Sequence, residues 1–245
     1  MPRAHRYFLP GHVWHITHRC HKKEYLLKFA KDRERWRYWL YQAKKRYGLS
    51  VLNYIVTSNH IHLLVHDRGK GEIVKSMQLI AGRTAQEYNQ RKDRKGAFWE
   101  DRYHATAVET NKYLARCIAY IDLNMVRAGV VSYPEDWIWS GYYEIQYPSP
   151  RYKVIDEKVL LELSGVNSVE HYREIRRDRV EAETGDEYST RDENWSSSLA
   201  VGSAGYIDSV KSSLGVSSRY RNKREGDNLW VLRELANPYR GYFDR

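Results

Sequence analysis

Residues 54–67, YIVTSNHIHLLVHD, alternate as a β-strand does, yet they carry His60, His62 and His66. Successive side chains of a strand point to opposite faces, so His60 and His62 share one face while Ile61 and Leu63 take the other. Two neutral imidazoles side by side are a ready pair of metal ligands. The bland reading is a pair of partly buried histidines with no ligand. The apolar run LLV marks the strand as interior, where an imidazole without a partner is costly, and this weighs against it. His66 reads as a strand-end histidine. A further donor is offered by CIAYIDLNMVRAG, residues 117–129, where Tyr120 and Asn124 stand at i and i+4, one helical turn apart on one face. An amide oxygen there could complete a His/His/Asn site with a phenol beside it. Such a site leaves positions open for water or phosphate oxygens, which favours Mg²⁺ or Mn²⁺, with manganese better suited to imidazole. A closed tetrahedral zinc site would want a fourth protein ligand. Spacing alone also leaves Tyr120 open to being one core tyrosine among many.

Several elements must position these groups. GHVWHITHR (11–19) alternates as a strand, and DRERWRYWLYQAKKRYG (32–48) has helical spacing with Trp36, Trp39, Leu40 and Ala43 in one stripe, stopped by Gly48. LSVLNYIVTS (49–58) and NHIHLLVHD (59–67) read as a hairpin turning at Ser58 and Asn59. Residues 71–96 form a long amphipathic helix with Ile73, Met77, Ile80, Ala81, Thr84 and Tyr88 at core spacing. AFWEDRYHATAVE (97–109) is a fourth strand, and residues 110–129 are a helix with Thr110 as N-cap and Gly129 as C-cap. The order β-α-β-β-α-β followed by a helix is the ferredoxin-like pattern of an α+β fold, with a central antiparallel sheet and helices on one face. Residues 133–153 read as a loop wrapped on the core. Residues 168–206, charged and then serine-rich, read as partly linker. A helix is expected over 203–215, and 217–228 look basic and mobile. The division expected is a domain over residues 1–150 and a mostly helical or irregular extension over 151–245.

The chain of 245 residues has 41 lysines and arginines against 31 acids, a formal charge of +10, which points to a polyanionic partner. Its 21 tyrosines and 8 tryptophans could stack unpaired bases, although many must serve the core. Cys20 and Cys117 are far apart and form no CxxC pair, consistent with a reducing cytoplasm. With neither an apolar leader nor a membrane-length apolar run, a cytoplasmic, nucleoid-associated protein is expected.

NHIHLLV resembles the histidine–hydrophobe–histidine (HUH) signature of the single-tyrosine transposases. YIDLNMVRAGVV resembles the catalytic-helix motif of the REP-associated tyrosine transposases within that superfamily. The opening PRAHRYFLPGHVWHITHRC, the segment GAFWEDRYHATAVETNKYL and the segment PEDWIWSGY are similar to further stretches of the same family. The resemblance thus runs in order over roughly residues 2 to 150. It implies His60 and His62 as metal-ligand histidines, Asn124 as the third ligand and Tyr120 as the nucleophile. Some relatives carry glutamine at the position of Asn124, and Met125 stands where proline is common. Tyr113, two turns before Tyr120 on nearly the same face, is the rival nucleophile.

The activity implied is metal-assisted cleavage and rejoining of single-stranded DNA beside a REP-like palindromic hairpin. The expected intermediate is a 5′-phosphotyrosine, with Mg²⁺ or Mn²⁺ as cofactor, in a monomer or homodimer. Arg3 and Arg6 would form an arm reading sequence near the hairpin foot. Lys44, Lys45 and Arg46 would contact phosphates, and Arg102 would lie on the cleaved strand. The alternative is a host-adopted, non-catalytic hairpin binder on the same fold. A replication-initiator or relaxase nickase would carry further domains, and the chain has no GxxxxGK[ST] loop. A plain metal nuclease would not need Tyr120.

Overall fold

The computed structural model of the protein describes residues 8–149, 151–183, 192–218, 221–226 and 228–234. Arg3 and Arg6 lie outside the described residues. The first half follows the predicted order. Strand β1 (Val13–Arg19) leads to helix α1 (Ala30–Tyr47), then β2 (Ser50–Val56), β3 (His60–His66), α2 (Glu72–Arg91), β4 (His104–Val108) and α3 (Lys112–Asp122). Helix α1 ends where expected, on Gly48 at φ 70°, a left-handed conformation that glycine adopts without steric cost. β2 and β3 form the predicted hairpin, closed by the Thr57 N–H donating to the His60 carbonyl at 3.0 Å.

The sheet order is β2-β3-β1-β4, the ferredoxin-like arrangement, with every pair in that set antiparallel. Its two faces are distinguished by β2. Tyr54 packs toward Trp36 of α1, with ring centroids 6.4 Å apart, whereas Asn53 reaches α3 by donating to Asp122 at 2.8 Å. Helices α1 and α2 therefore cover one face, burying Trp36, Trp39, Leu40, Ile73, Met77 and Ile80 as their spacing requires. α3 covers the other face. The expectation of helices on one face holds for α1 and α2 only. The reason is that β2 and β3 are buried throughout their central residues, so both faces need cover.

Three expectations are corrected. Residues 97–103 are not strand; β4 begins at His104, because Trp99 turns away to donate from its indole N–H to the Ala81 carbonyl of α2 at 3.0 Å. The helix after β4 is interrupted at Leu123, where ψ is 4°, and resumes as α4 (Asn124–Arg127). The loop expected over 133–153 contains helix α5 (Gly141–Gln146), capped by the Ser140 hydroxyl accepting from the Tyr143 N–H.

The C-terminal part contains α6 (Glu157–Ser164), α7 (Val169–Ala182), α8 (Asn194–Ser197) and the expected helix, α9 (Ala204–Leu214). It also adds three strands to the sheet: β5 (Ala200–Gly202), β6 (Arg221–Gly226) and β7 (Leu229–Glu234). β5 pairs parallel with β4, and β7 and β6 follow, giving seven strands in the order β2-β3-β1-β4-β5-β7-β6. The segment read as mobile is thus largely a hairpin. Its exposed β6 positions, Asn222, Arg224 and Glu225, are polar on an edge strand, which hides the alternation in the sequence. The segment read as linker holds α7, whose few buried positions, Tyr172, Arg176 and Val180, are sparse among charges. No helix among the described residues is long and apolar enough to cross a membrane.

Candidate active site

The face of the sheet that carries α3 presents a polar stripe across three strands. His62 of β3 stands opposite Thr17 of β1, which stands opposite His104 of β4; His15 of β1 stands opposite Thr106 of β4. His15 and His62 are diagonal neighbours on one face, and diagonal pairs are within reach of long side chains. Their rings lie nearly parallel at 14°, with His15 Nε2 2.8 Å from His62 Nδ1. His15 Nδ1 lies 2.8 Å from the backbone carbonyl of Trp195 in α8. Complete burial pushes the His15 imidazole down to about 3, against an opposing contribution from the Trp195 bond, so the ring is neutral.

From above, α3 and α4 bring Tyr120 and Asn124 onto His62. The Tyr120 ring meets those of His62 and His15 edge-on, at centroid distances of 5.7 and 6.0 Å. Asn124 Nδ2 lies 3.1 Å from His62 Nε2. His60, at the start of β3, stands with its ring centroid 5.0 Å from that of His62. Its Nδ1 is 2.7 Å from the Asn59 side-chain oxygen and 3.0 Å from the Thr57 hydroxyl. An amide oxygen only accepts, so His60 Nδ1 carries the proton and its lone pair sits on Nε2.

Tyr120 is 6% exposed. Arg127 stacks its guanidinium 4.5 Å from the Tyr120 ring centroid and donates to the Tyr120 carbonyl beside the interruption at Leu123. Trp195 covers another side, with ring centroids 6.3 Å apart. The segment holding Trp195 is clamped to the sheet. The Thr106 hydroxyl donates to the Ser198 carbonyl at 2.6 Å, and His104 Nε2 lies 2.8 Å from the same carbonyl.

Beside the imidazoles opens a cleft of about 290 Å³, with Thr17, Arg19, His60, His62, Arg102 and Glu193 among its lining residues. Arg102 is thus brought to the candidate site. Lys44, Lys45 and Arg46 are not: they end α1, next to Ser50, which pairs with His66 at the far end of β3 from His60. At ~3.3 Å per residue that is about 20 Å away. Lys44 also turns inward, donating to the Ile155 carbonyl at 2.9 Å. Tyr113 is buried at the start of α3, with Lys112 over its ring.

The donor set suits a hard or borderline divalent cation. Among the described residues no three His, Cys, Asp or Glu side chains converge as a metal site. The set on offer is two imidazoles and one carboxamide. His62 Nε2 and the Asn124 amide face each other at 3.1 Å, a separation suited to two ligands of one cation once the amide presents its oxygen. Sequence reasoning named His60, His62, Tyr120 and Asn124, and the structure brings these four side chains together. It did not name His15, Arg127 and Trp195, which also touch this cluster. For His15 the available signal was its place on the polar face of β1; for Trp195 there was none.

Residues 10–124 match the family model described as "Transposase IS200 like". Over these residues, just under half of the chain, it is similar to the IS200-like transposases. The chain is also similar in structure to a REP-associated tyrosine transposase bound to a REP hairpin. The TM-score is 0.50 and the identity 18%, over 64% of this chain and 94% of that one. This likeness supports the fold, and the resemblance read from the motifs is borne out. A Deinococcus radiodurans structure described as a candidate transposase matches at TM-score 0.35 and 15% identity, over 55% of this chain and 97% of that one. No curated protein matches. The transposase segment ends at Asn124, so all four motif residues lie inside it.

Proposed function

We propose that the protein cleaves and rejoins single-stranded DNA beside a hairpin through a covalent link to Tyr120. The observation that carries this reading is the meeting of Tyr120 and Asn124, from one helical turn, with His62 on the sheet below. His60, His62 and Asn124 would hold the cation. When bound, Mg²⁺ or Mn²⁺ would supply Lewis-acid polarisation of the scissile phosphate.

The chain's own residues account for the rest. The Tyr120 oxygen attacks phosphorus, forming a new O–P bond as the P–O3′ bond breaks. The departing 3′ oxygen takes up a proton, and the DNA 5′ end remains on the tyrosine. A second 3′-OH can reverse the step, because the phosphodiester energy is conserved in the link. A phenol has a pKa near ~10, and the Arg127 guanidinium over the Tyr120 ring stabilises developing phenolate. Arg19 and Arg102 line the cleft beside His60 and His62, together with Glu100, Asp101 and Glu193, and would contact phosphates of the cleaved strand there. Paired DNA does not offer its backbone to so recessed a phenol, so the substrate is unpaired. The family match and the REP hairpin bound by the structurally similar protein support a hairpin beside the cleaved strand.

One observation favours the non-catalytic hairpin binder instead: Tyr120 is covered by Trp195. One assay separates the two. An end-labelled single strand carrying a REP-like hairpin, mixed with the protein and Mn²⁺, should give an adduct that survives boiling in detergent, lost in Tyr120→Phe. Hairpin binding with no adduct in any metal supports the binder. Cleavage retained by Tyr120→Phe would indicate a plain nuclease.

A further inference from the structure

His15 lies outside the two motifs that supply the paired histidines, Tyr120 and Asn124, yet its Nε2 stands 2.8 Å from His62 Nδ1. It is completely buried on β1, with a protein partner at each ring nitrogen. The Nδ1 partner is a backbone carbonyl, that of Trp195, 180 residues further along the chain. A carbonyl only accepts, so Nδ1 carries the proton. A charged imidazolium sealed away from water against a second imidazole is costly, so the ring holds that one proton only. Its Nε2 is then a lone pair, aimed at His62 Nδ1 from 2.8 Å. His62 must therefore donate from Nδ1, which leaves the lone pair of His62 on Nε2. The far side of His62 agrees independently: the Asn124 amide nitrogen approaches Nε2 at 3.1 Å, and an N–H can only donate to a lone pair there.

We propose that His15 is a positioning residue for the metal site. By accepting from His62 Nδ1 and donating to the Trp195 carbonyl, it fixes the tautomer and ring orientation that point His62 Nε2 at the cation. The inference rests on the reading of His62 as a metal ligand. Outer-shell partners of this kind orient a ligating histidine, and their loss typically weakens metal affinity ~10–100-fold. The relay also ties the site to the C-terminal part of the chain. The segment carrying the Trp195 carbonyl is held in place as the Thr106 hydroxyl, 3.2 Å from that carbonyl, donates to the Ser198 carbonyl three residues on at 2.6 Å.

Two measurements on the full-length protein test this. Long-range ¹H–¹⁵N NMR of the metal-free protein, with the rings assigned from single-histidine variants, should show both His15 and His62 protonated at Nδ1. Protonation of His62 at Nε2 in the wild type would overturn the proposal. Mn²⁺ binding followed by electron paramagnetic resonance should weaken ~10–100-fold in His15→Leu. His15→Gln, whose amide can accept from His62 and donate to Trp195, should recover most of that loss. A folded His15→Leu that binds Mn²⁺ as the wild type does would refute the relay. If His15→Leu fails to fold, the wild-type tautomers and the His15→Gln affinity decide. Wild-type protein with both rings protonated at Nδ1 but no Mn²⁺ uptake would support the hydrogen-bond chain and refute the metal reading above.

Discussion

Arg176 of α7 reaches Asp122 of α3 in the interior, and its replacement by methionine is the most demanding structural prediction. Asp122 lies between Tyr120 and Asn124 in sequence. The guanidinium donates from Nε to Asp122 Oδ2 at 2.7 Å, and from Nη2 to Asp122 Oδ1 at 2.6 Å and to Asn53 Oδ1 at 2.8 Å. Asn53 closes the set by donating to Asp122 Oδ1 at 2.8 Å. The side chains of Arg176 and Asp122 are 3% and 1% exposed, so water screens almost none of the interaction. Arg176→Met leaves the carboxylate buried and uncompensated, a situation that costs about 3–5 kcal/mol. At 2–4 °C per kcal/mol for a chain of this size, the melting temperature should fall by roughly 6–20 °C. Urea denaturation followed by circular dichroism measures the loss. Asp122→Asn in the same chain removes the stranded charge, so the double variant should lose clearly less than the two single losses together. A loss below about 1 kcal/mol for Arg176→Met, or strict additivity in the double variant, would refute the claim that this pair anchors α3.

Further outcomes follow from the same geometry. His15 is held near 3 in the fold against an ordinary value of 6.5, so between these values the unfolded chain takes up a proton that the native chain refuses. The contribution is complete above 6.5 and is lost as pH falls toward 3, at up to ~1.4 kcal/mol per pH unit. Denaturation midpoints at pH 7.5, 6 and 5 should show this slope in the wild type and a shallower one in His15→Leu. Gly141 packs against β2 so closely that an added Cβ would lie 2.3 Å from Asn53 Oδ1 and 3.0 Å from the Tyr54 nitrogen. Gly141→Ala should cost about 1–3 kcal/mol in urea titrations by displacing Asn53 from Arg176. A neutral result would show that the contact relaxes freely.

What could be read from the sequence was whatever a single element determines. The α1 stripe, the β2–β3 hairpin and the shared face of His60 and His62 follow from periods of 3.6 and 2 alone. So does the pairing of Tyr120 with Asn124, since one helical turn sets it, even with the break at Leu123. Contacts made at long range were not legible. His15 belongs to the site because a carbonyl 180 residues away is delivered to it, and nothing local marks Trp195 for that place. Residues 168–206 read as partly linker because the buried positions of α7 include an arginine, and a buried arginine looks like a surface residue until its carboxylate is known. The β6–β7 hairpin hid for a related reason: an exposed edge strand has no apolar face to alternate. The sequence does not place Lys44 to Arg46 relative to the histidines; the register of β2 with β3 does, at the far end from His60.

The central claim is that one phenol, Tyr120, forms the bond to DNA, and peptide mapping of the adduct tests it most directly. Trypsin cuts after Arg116 and Arg127, so Tyr120 falls in the peptide 117–127, which has no other tyrosine, while Tyr113 falls in 113–116. After reaction with a hairpin-bearing single strand and Mn²⁺, then nuclease trimming, mass spectrometry should find the residual nucleotide on peptide 117–127 alone. Nucleotide on peptide 113–116, or on any other tyrosine with 117–127 unmodified, would contradict the account.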